Sequence, residues 1–101
     1  MKFKYNFLEK KLWRIEDDYF YEISEENHTP GFNIAITFIT SFKLGENQYL
    51  FLTKSEFKIT VRYVKTFRNS EPINYEKKII LDQFQVETIF EFTEQDRINS
   101  S

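Results

Sequence analysis

Residues Phe32, Ile34, Ile36, Phe38, Thr40 and Phe42 alternate with Asn33, Ala35, Thr37, Ile39, Ser41 and Lys43, so apolar and mostly small or polar side chains recur with a period of two. Successive side chains of a strand point to opposite faces, and this spacing builds one aromatic-aliphatic face and one small or polar face. The same period returns over Tyr49 to Tyr63 and over Gln83 to Phe92. The chain is therefore expected to be mainly β, an antiparallel meander of about four to five long strands joined by hairpins, with room for one short helix near the N-terminus.

Read in order, Lys2 to Phe7 is a short strand with Phe3, Tyr5 and Phe7 on one side. Residues 8–23 support two readings. Leu8, Leu12, Ile15 and Tyr19 fall at helical spacing, whereas Trp13, Ile15, Tyr19, Tyr21 and Ile23 fall at period two, and strand is the preferred assignment. Ser24 to Gly31 is a polar loop whose Pro30-Gly31 pair suits a type II turn. After the Phe32 to Lys43 strand, Leu44-Gly45-Glu46-Asn47 is a hairpin connection that draws on its glycine. Tyr49 to Tyr63 reads as one strand, with Tyr49, Phe51, Phe57, Ile59 and Val61 on the same face as Thr53 and Ser55. At about 3.3 Å per residue it would reach roughly 50 Å, so a bend or bulge is expected near Thr53 and Ser55. Lys65 to Asn74 is a loop with Asn69-Ser70-Glu71-Pro72 at its tip, and Tyr75 to Phe92 is the closing strand, in which Ile79-Ile80-Leu81 does not alternate. A single domain spans 1–101, ordered over about 2–94, with a frayed tail at 95–101.

Composition narrows the function. At 101 residues one core is expected, burying somewhat over ~60% of the unfolded surface. Twelve Phe, six Tyr and one Trp exceed what such a core needs, since each ring buries roughly 150 to 250 Å² when enclosed. Some rings must lie outside or in an interface, which favours a homo-oligomer or a protein partner. A net charge of −2 sets up no field that would recruit nucleic acid. No segment approaches the ~20 apolar residues of a membrane helix, and no signal peptide is recognised behind Met1-Lys2-Phe3-Lys4-Tyr5. The absence of cysteine excludes disulfides and zinc-thiolate sites and fits a cytoplasmic protein. Few Gly and Pro among many Lys, Asn, Ile, Phe and Glu suit a bacterial or phage accessory protein.

Catalytic and metal constellations are not evident. His28 is the one histidine and stands beside Glu25 and Glu26 in a polar loop, where solvation is its expected role. Asp17-Asp18 and Glu25-Glu26 are adjacent carboxylates without the burial a general acid requires. Two isolated glycines make no phosphate loop, so no cofactor is expected. Arg62, Tyr63, Lys65, Phe67 and Arg68 interleave cations with rings, as single-stranded nucleic-acid sites do, but Lys58 and Arg62 can instead face Glu87 and Glu91 across strands.

The strand Phe32 to Phe42, the bulky run from Tyr49 to Tyr63, and above all Phe84-Gln85-Val86-Glu87-Thr88-Ile89-Phe90-Glu91-Phe92 resemble the SecB-type chaperones. Those proteins are built on long antiparallel strands and hold unfolded clients in aromatic grooves of an oligomer. The resemblance covers roughly the last 60 residues before the polar tail, and the family's helical region after this strand has no counterpart in the nine residues that remain. It implies a minimal, SecB-like chaperone.

The expected function is thus a non-enzymatic, protein-binding sheet module that takes a protein partner or an unfolded polypeptide, with Trp13, Tyr49, Phe51, Phe57, Phe84 and Phe90 as candidate anchors in core or interface. A small inhibitor or immunity-type accessory protein of a phage or mobile element, binding one folded partner through charged rims such as Glu16-Asp17-Asp18, is the alternative.

Overall fold

The period-two segments become strands, and in the computed structural model, which describes residues 1–23 and 39–98, every strand pairing is antiparallel. In chain order the strands are β1 (Lys2–Asn6), β2 (Lys11–Glu16), β3 (Tyr19–Ile23), β4 (Ile39–Gly45), β5 (Gln48–Lys54), β6 (Lys58–Lys65), β7 (Ile73–Ile80), β8 (Glu87–Glu91) and β9 (Arg97–Ile98), with a 3₁₀ turn at Glu94–Asp96. They form a four-stranded sheet in the order β3-β2-β1-β8 and a five-stranded sheet in the order β4-β5-β6-β7-β9. The chain is mainly β and antiparallel, as expected, but the strands are shorter and more numerous.

Residues 8–23 are strand and turn, without the optional N-terminal helix. β2 and β3 reverse over Asp17-Asp18, whose φ angles of 48° and 68° are the pair a mirror-image two-residue hairpin demands. Aspartate tolerates that left-handed region better than most residues, so turn chemistry accounts for this acidic pair. At the β4-β5 hairpin the left-handed residue is Asn47, with φ of 58°, while Gly45 closes a bulge. A Cβ at Gly45 would lie 3.2 Å from the Gln48 side-chain nitrogen, so close approach is its use.

The expected long strand over Tyr49 to Tyr63 is two strands. β5 pairs with β6 from Gln48↔Lys65 to Lys54↔Ile59, and the chain reverses completely over Ser55, Glu56 and Phe57. The Ser55 amide donates to the Lys58 carbonyl at 2.8 Å and its hydroxyl reaches the same oxygen at 3.2 Å. Lys54 faces Ile59 with four residues between them, so facing positions have opposite parity and the phase of alternation flips. Leu50 and Leu52 therefore share the core face with Ile59, Val61 and Tyr63, whereas Tyr49 and Phe51 turn outward.

Tyr75 to Phe92 is also two strands, β7 and β8, and they belong to different sheets, so residues 81–86 carry the chain across. Of the closing segment Phe84 to Phe92, only Glu87–Glu91 is strand. Past the 3₁₀ turn the chain runs back along β7, where Arg97–Ile98 pairs with Asn74 and Tyr75. Ser24 to Gly31 and Phe32 to Phe38 lie outside the described residues, as do 99–101.

The sheets meet through Phe3, Tyr5, Leu12 and Phe90 from one side, Phe42, Leu50, Leu52, Ile59, Val61 and Tyr63 from the other, and Leu81 and Phe92 just outside the strands. Ring contacts cross the interface from Tyr5 to Phe42 at 6.0 Å and from Phe92 to Tyr63 at 6.4 Å, and Phe3 meets Phe92 at 6.2 Å on the four-stranded side. Thr40 points into the same core on β4, buried, with a hydroxyl that finds no hydrogen-bond partner among the described residues. An unsatisfied buried hydroxyl costs about 1–3 kcal/mol, and valine has the same shape. Thr40→Val is expected to raise the urea midpoint of unfolding by the equivalent of about 1 kcal/mol, and a lower midpoint would show that the hydroxyl is satisfied.

Candidate functional site

Among the described residues, strand direction sends three connections to one end of the two-sheet body. They are residues 7–10 between β1 and β2, residues 55–57 between β5 and β6, and residues 81–86 between β7 and β8. Backbone hydrogen bonds tie them together. The Phe7 amide donates to the Val86 carbonyl at 2.8 Å, and the Leu81 amide donates to the Phe57 carbonyl at 2.8 Å. Within the connections, Asn6 Oδ1 accepts from the amides of Leu8 and Glu9 at 3.0 and 2.9 Å, and the Asp82 amide donates to Gln85 Oε1 at 3.1 Å. Lys54 Nζ stands 5.7 Å from the Phe7 ring between the two sheets' turns.

These fixed connections hold apolar side chains in solvent. Leu8 is 76% exposed, Phe84 86% and Ile80, the last residue of β7, 76%, and Phe57 and Val86 are exposed beside them. The charges among them have both signs, Glu9, Lys10, Glu56, Lys58 and Asp82. Such an end is suited to apolar contact with a polypeptide and has no field to attract a polyanion.

The other expected anchors are divided by the alternation. Phe90 is a core residue stacked on Phe3 at 5.5 Å. Trp13 is half-buried on the outer face of the four-stranded sheet, where Lys4 Nζ stands 5.5 Å from its ring and 5.7 Å from that of Phe20, with Glu87 Oε2 at 3.3 Å. Tyr49 and Phe51 stack at 6.3 Å on the outer face of the five-stranded sheet. Of the six expected anchors, only Phe57 and Phe84 come together at the apolar end. Leu8, Ile80 and Val86 were not anticipated there, nor were the exposed Tyr19, Phe20 and Tyr21 of β3. The available signal was an apolar residue immediately beside a turn, as Leu8 is beside Glu9-Lys10.

The basic-aromatic run is dispersed as well: Tyr63 faces inward and donates to Gln48 Oε1 at 2.9 Å, Arg62 faces outward, and Lys65 lies over the Phe67 ring at 5.4 Å. His28, Glu25 and Glu26 lie outside the described residues. Burial raises the Tyr63 phenol above its ordinary pKa against the opposing pull of Arg14, which itself pairs with Glu16 at 2.8 Å. Burial and the hydrogen bond to Glu94, 3.1 Å, raise Tyr75. Among the described residues no helix is long and apolar enough to cross a membrane. No protein-family model matches this sequence, and no curated protein or solved structure matches it.

Asp96 fastens the C-terminal turn. Its Oδ2 accepts from the Thr93 amide at 2.8 Å and lies 3.3 Å from Lys77 Nζ, and these contacts, the backbone hydrogen bond foremost, hold its carboxyl below the usual range. A depressed carboxyl contributes stability above its unfolded pKa and loses it as pH falls through the folded value. Asp96→Asn is expected to cost about 0.5–1 kcal/mol at pH 7 in thermal melts, and this deficit is expected to shrink as the pH falls and the carboxyl is protonated. A deficit that grows on acidification would contradict the assignment.

Proposed function

We propose that this chain is a non-enzymatic protein-binding module that grips polypeptide through the apolar end formed by Leu8, Phe57, Ile80, Phe84 and Val86. The observation that carries this reading is Phe84, 86% exposed on a connection whose backbone is hydrogen-bonded at Val86 to Phe7 just past β1 and, through Leu81, to the β5-β6 turn. A ring held in water by an ordered loop is already organised for binding, so little further ordering entropy is lost when it is covered. In its client-holding form the module is SecB-like and takes many unfolded chains.

A second reading draws on the β2-β3 hairpin, where Asp17 and Asp18 are set by the turn and Tyr19, Phe20 and Tyr21 are exposed next to it. An acidic rim beside exposed rings suits an inhibitor or immunity-type accessory protein that binds one folded partner with strong salt dependence. Association of copies through either patch would give a homo-oligomer, which a mass from light scattering reports.

The two readings separate on one titration. Fluorescently labelled, reduced and carboxymethylated α-lactalbumin, a permanently unfolded chain, is expected to bind, and the Leu8→Ser/Phe84→Ser double variant to lose at least about tenfold in affinity. Both side chains are exposed, so the thermal midpoint is expected to stay within about 2 °C. Unchanged affinity in the double variant would remove the apolar end from the function.

A further inference from the structure

The hydrogen bonds of the second sheet decide which strand edge is open. The Leu81 amide bonds the Phe57 carbonyl, and this pair continues the β6-β7 register that runs from Lys58↔Ile80 to Lys65↔Ile73. Alternate residues of an antiparallel ladder face the same neighbour, so the odd-numbered residues of β7 bond β6 and Asn74, Glu76, Lys78 and Ile80 turn their N–H and C=O groups outward. Asn74 is opposite Ile98 of β9, which is only two residues long. Among the described residues nothing pairs with the main chain of Glu76, Lys78 or Ile80 on that side. An open cleft of about 510 Å³ runs there, between Glu76, Lys77 and Lys78 and the returning residues Gln95, Asp96 and Arg97.

The neighbouring edge is treated differently. On β8 the bonds from the Phe7 amide to the Val86 carbonyl and from the Phe92 amide to the Met1 carbonyl turn Glu87, Ile89 and Glu91 outward. Two of those carbonyls are occupied by side chains, Glu87 by Gln85 Nε2 at 2.9 Å and Glu91 by Lys77 Nζ at 2.7 Å. Side-chain capping of this kind blunts a strand edge. Among the described residues the edge of β7 has no such cap and its Lys78 no carboxylate partner, and the edge leads at Ile80 into the apolar end.

We propose that β7 takes an extended peptide by strand addition: antiparallel to β7, in line with β9, bonded to Lys78 and Ile80, with an acidic residue opposite Lys78 and an apolar one opposite Ile80. The inference deepens the protein-binding reading and rests on it, because the N-terminal part of such a peptide runs onto Phe84 and its neighbours. Main-chain bonds supply affinity and alternate side chains supply selectivity.

The test uses the full chain, labelled with ¹⁵N, and the peptide acetyl-Phe-Thr-Val-Thr-Asp-Thr-amide, in which Val faces Ile80 and Asp faces Lys78. Titration is expected to shift the amide signals of Lys78 and Ile80 and to slow their hydrogen exchange. Methylating the Val and Asp nitrogens removes the donors aimed at β7 and is expected to weaken binding at least about tenfold, whereas methylating the Thr nitrogens on either side of Asp is not. Lys78→Glu weakens the Asp peptide, and a Lys peptide restores it. Equal effects of the two methylation patterns, or no shift at Lys78 and Ile80 at millimolar peptide, would overturn the proposal. So would a dimer in which those amides are protected without peptide, since a second copy then owns the edge. The Leu8→Ser/Phe84→Ser variant keeps the edge signature, so loss of the apolar-end reading and loss of strand addition are read separately.

Discussion

Everything else in this molecule depends on the layer of rings between its two sheets. Phe3, Phe90 and Phe92 pack on one another from the four-stranded side, and Tyr5 and Phe92 carry the contact across to Phe42 and Tyr63. Neither sheet could cover its own apolar face, and each supplies the other's cover. Aromatic pairs at these separations add to the area they bury, which suits a chain with little length to spare for a core. The crossing from β7 to β8 makes the closure possible, because it returns the chain from the second sheet to pair with β1.

Alternation was legible wherever strand and register stayed in phase. Phe3 and Tyr5, Thr40 and Phe42, and Thr88 and Phe90 all face the core as their spacing predicts. What was not legible was reversal inside an apparently continuous pattern. Tyr49 to Val61 alternates through Ser55 and Phe57 without a glycine or proline to mark the turn, and the four residues between the facing pair Lys54 and Ile59 shift the phase, so Leu50 and Leu52 take the core in place of Tyr49 and Phe51. The run Ile79-Ile80-Leu81, which does not alternate, was the visible trace of the second reversal: Leu81 is buried and Ile80 is 76% exposed. The charge of Asp17-Asp18 is legible in the sequence, but the pair's place is explained by the left-handed backbone its turn demands.

The same phase shifts decide which rings are spare. Once Leu50, Leu52, Ile59 and Val61 fill the second sheet's inner face, Phe57 and Phe84 have no place in it and are carried on the connections at one end. The candidate site was thus half readable: these two residues were anticipated as anchors, but their company with Leu8, Ile80 and Val86 follows from strand direction, which no local pattern records. The uneven treatment of edges belongs to the same picture, with side chains closing the main chain of β8 while β7 stays open beside the apolar end.

The central claim is that this chain closes its core with one set of rings and leaves another set in water. Broadening of the aromatic proton signals by a soluble gadolinium chelate measures that division directly. The account predicts strong broadening for the rings of Phe57, Phe84 and Phe20 and little for Phe3, Phe42, Phe90 and Phe92. Equal protection of Phe57 and Phe84 with the core rings would contradict it.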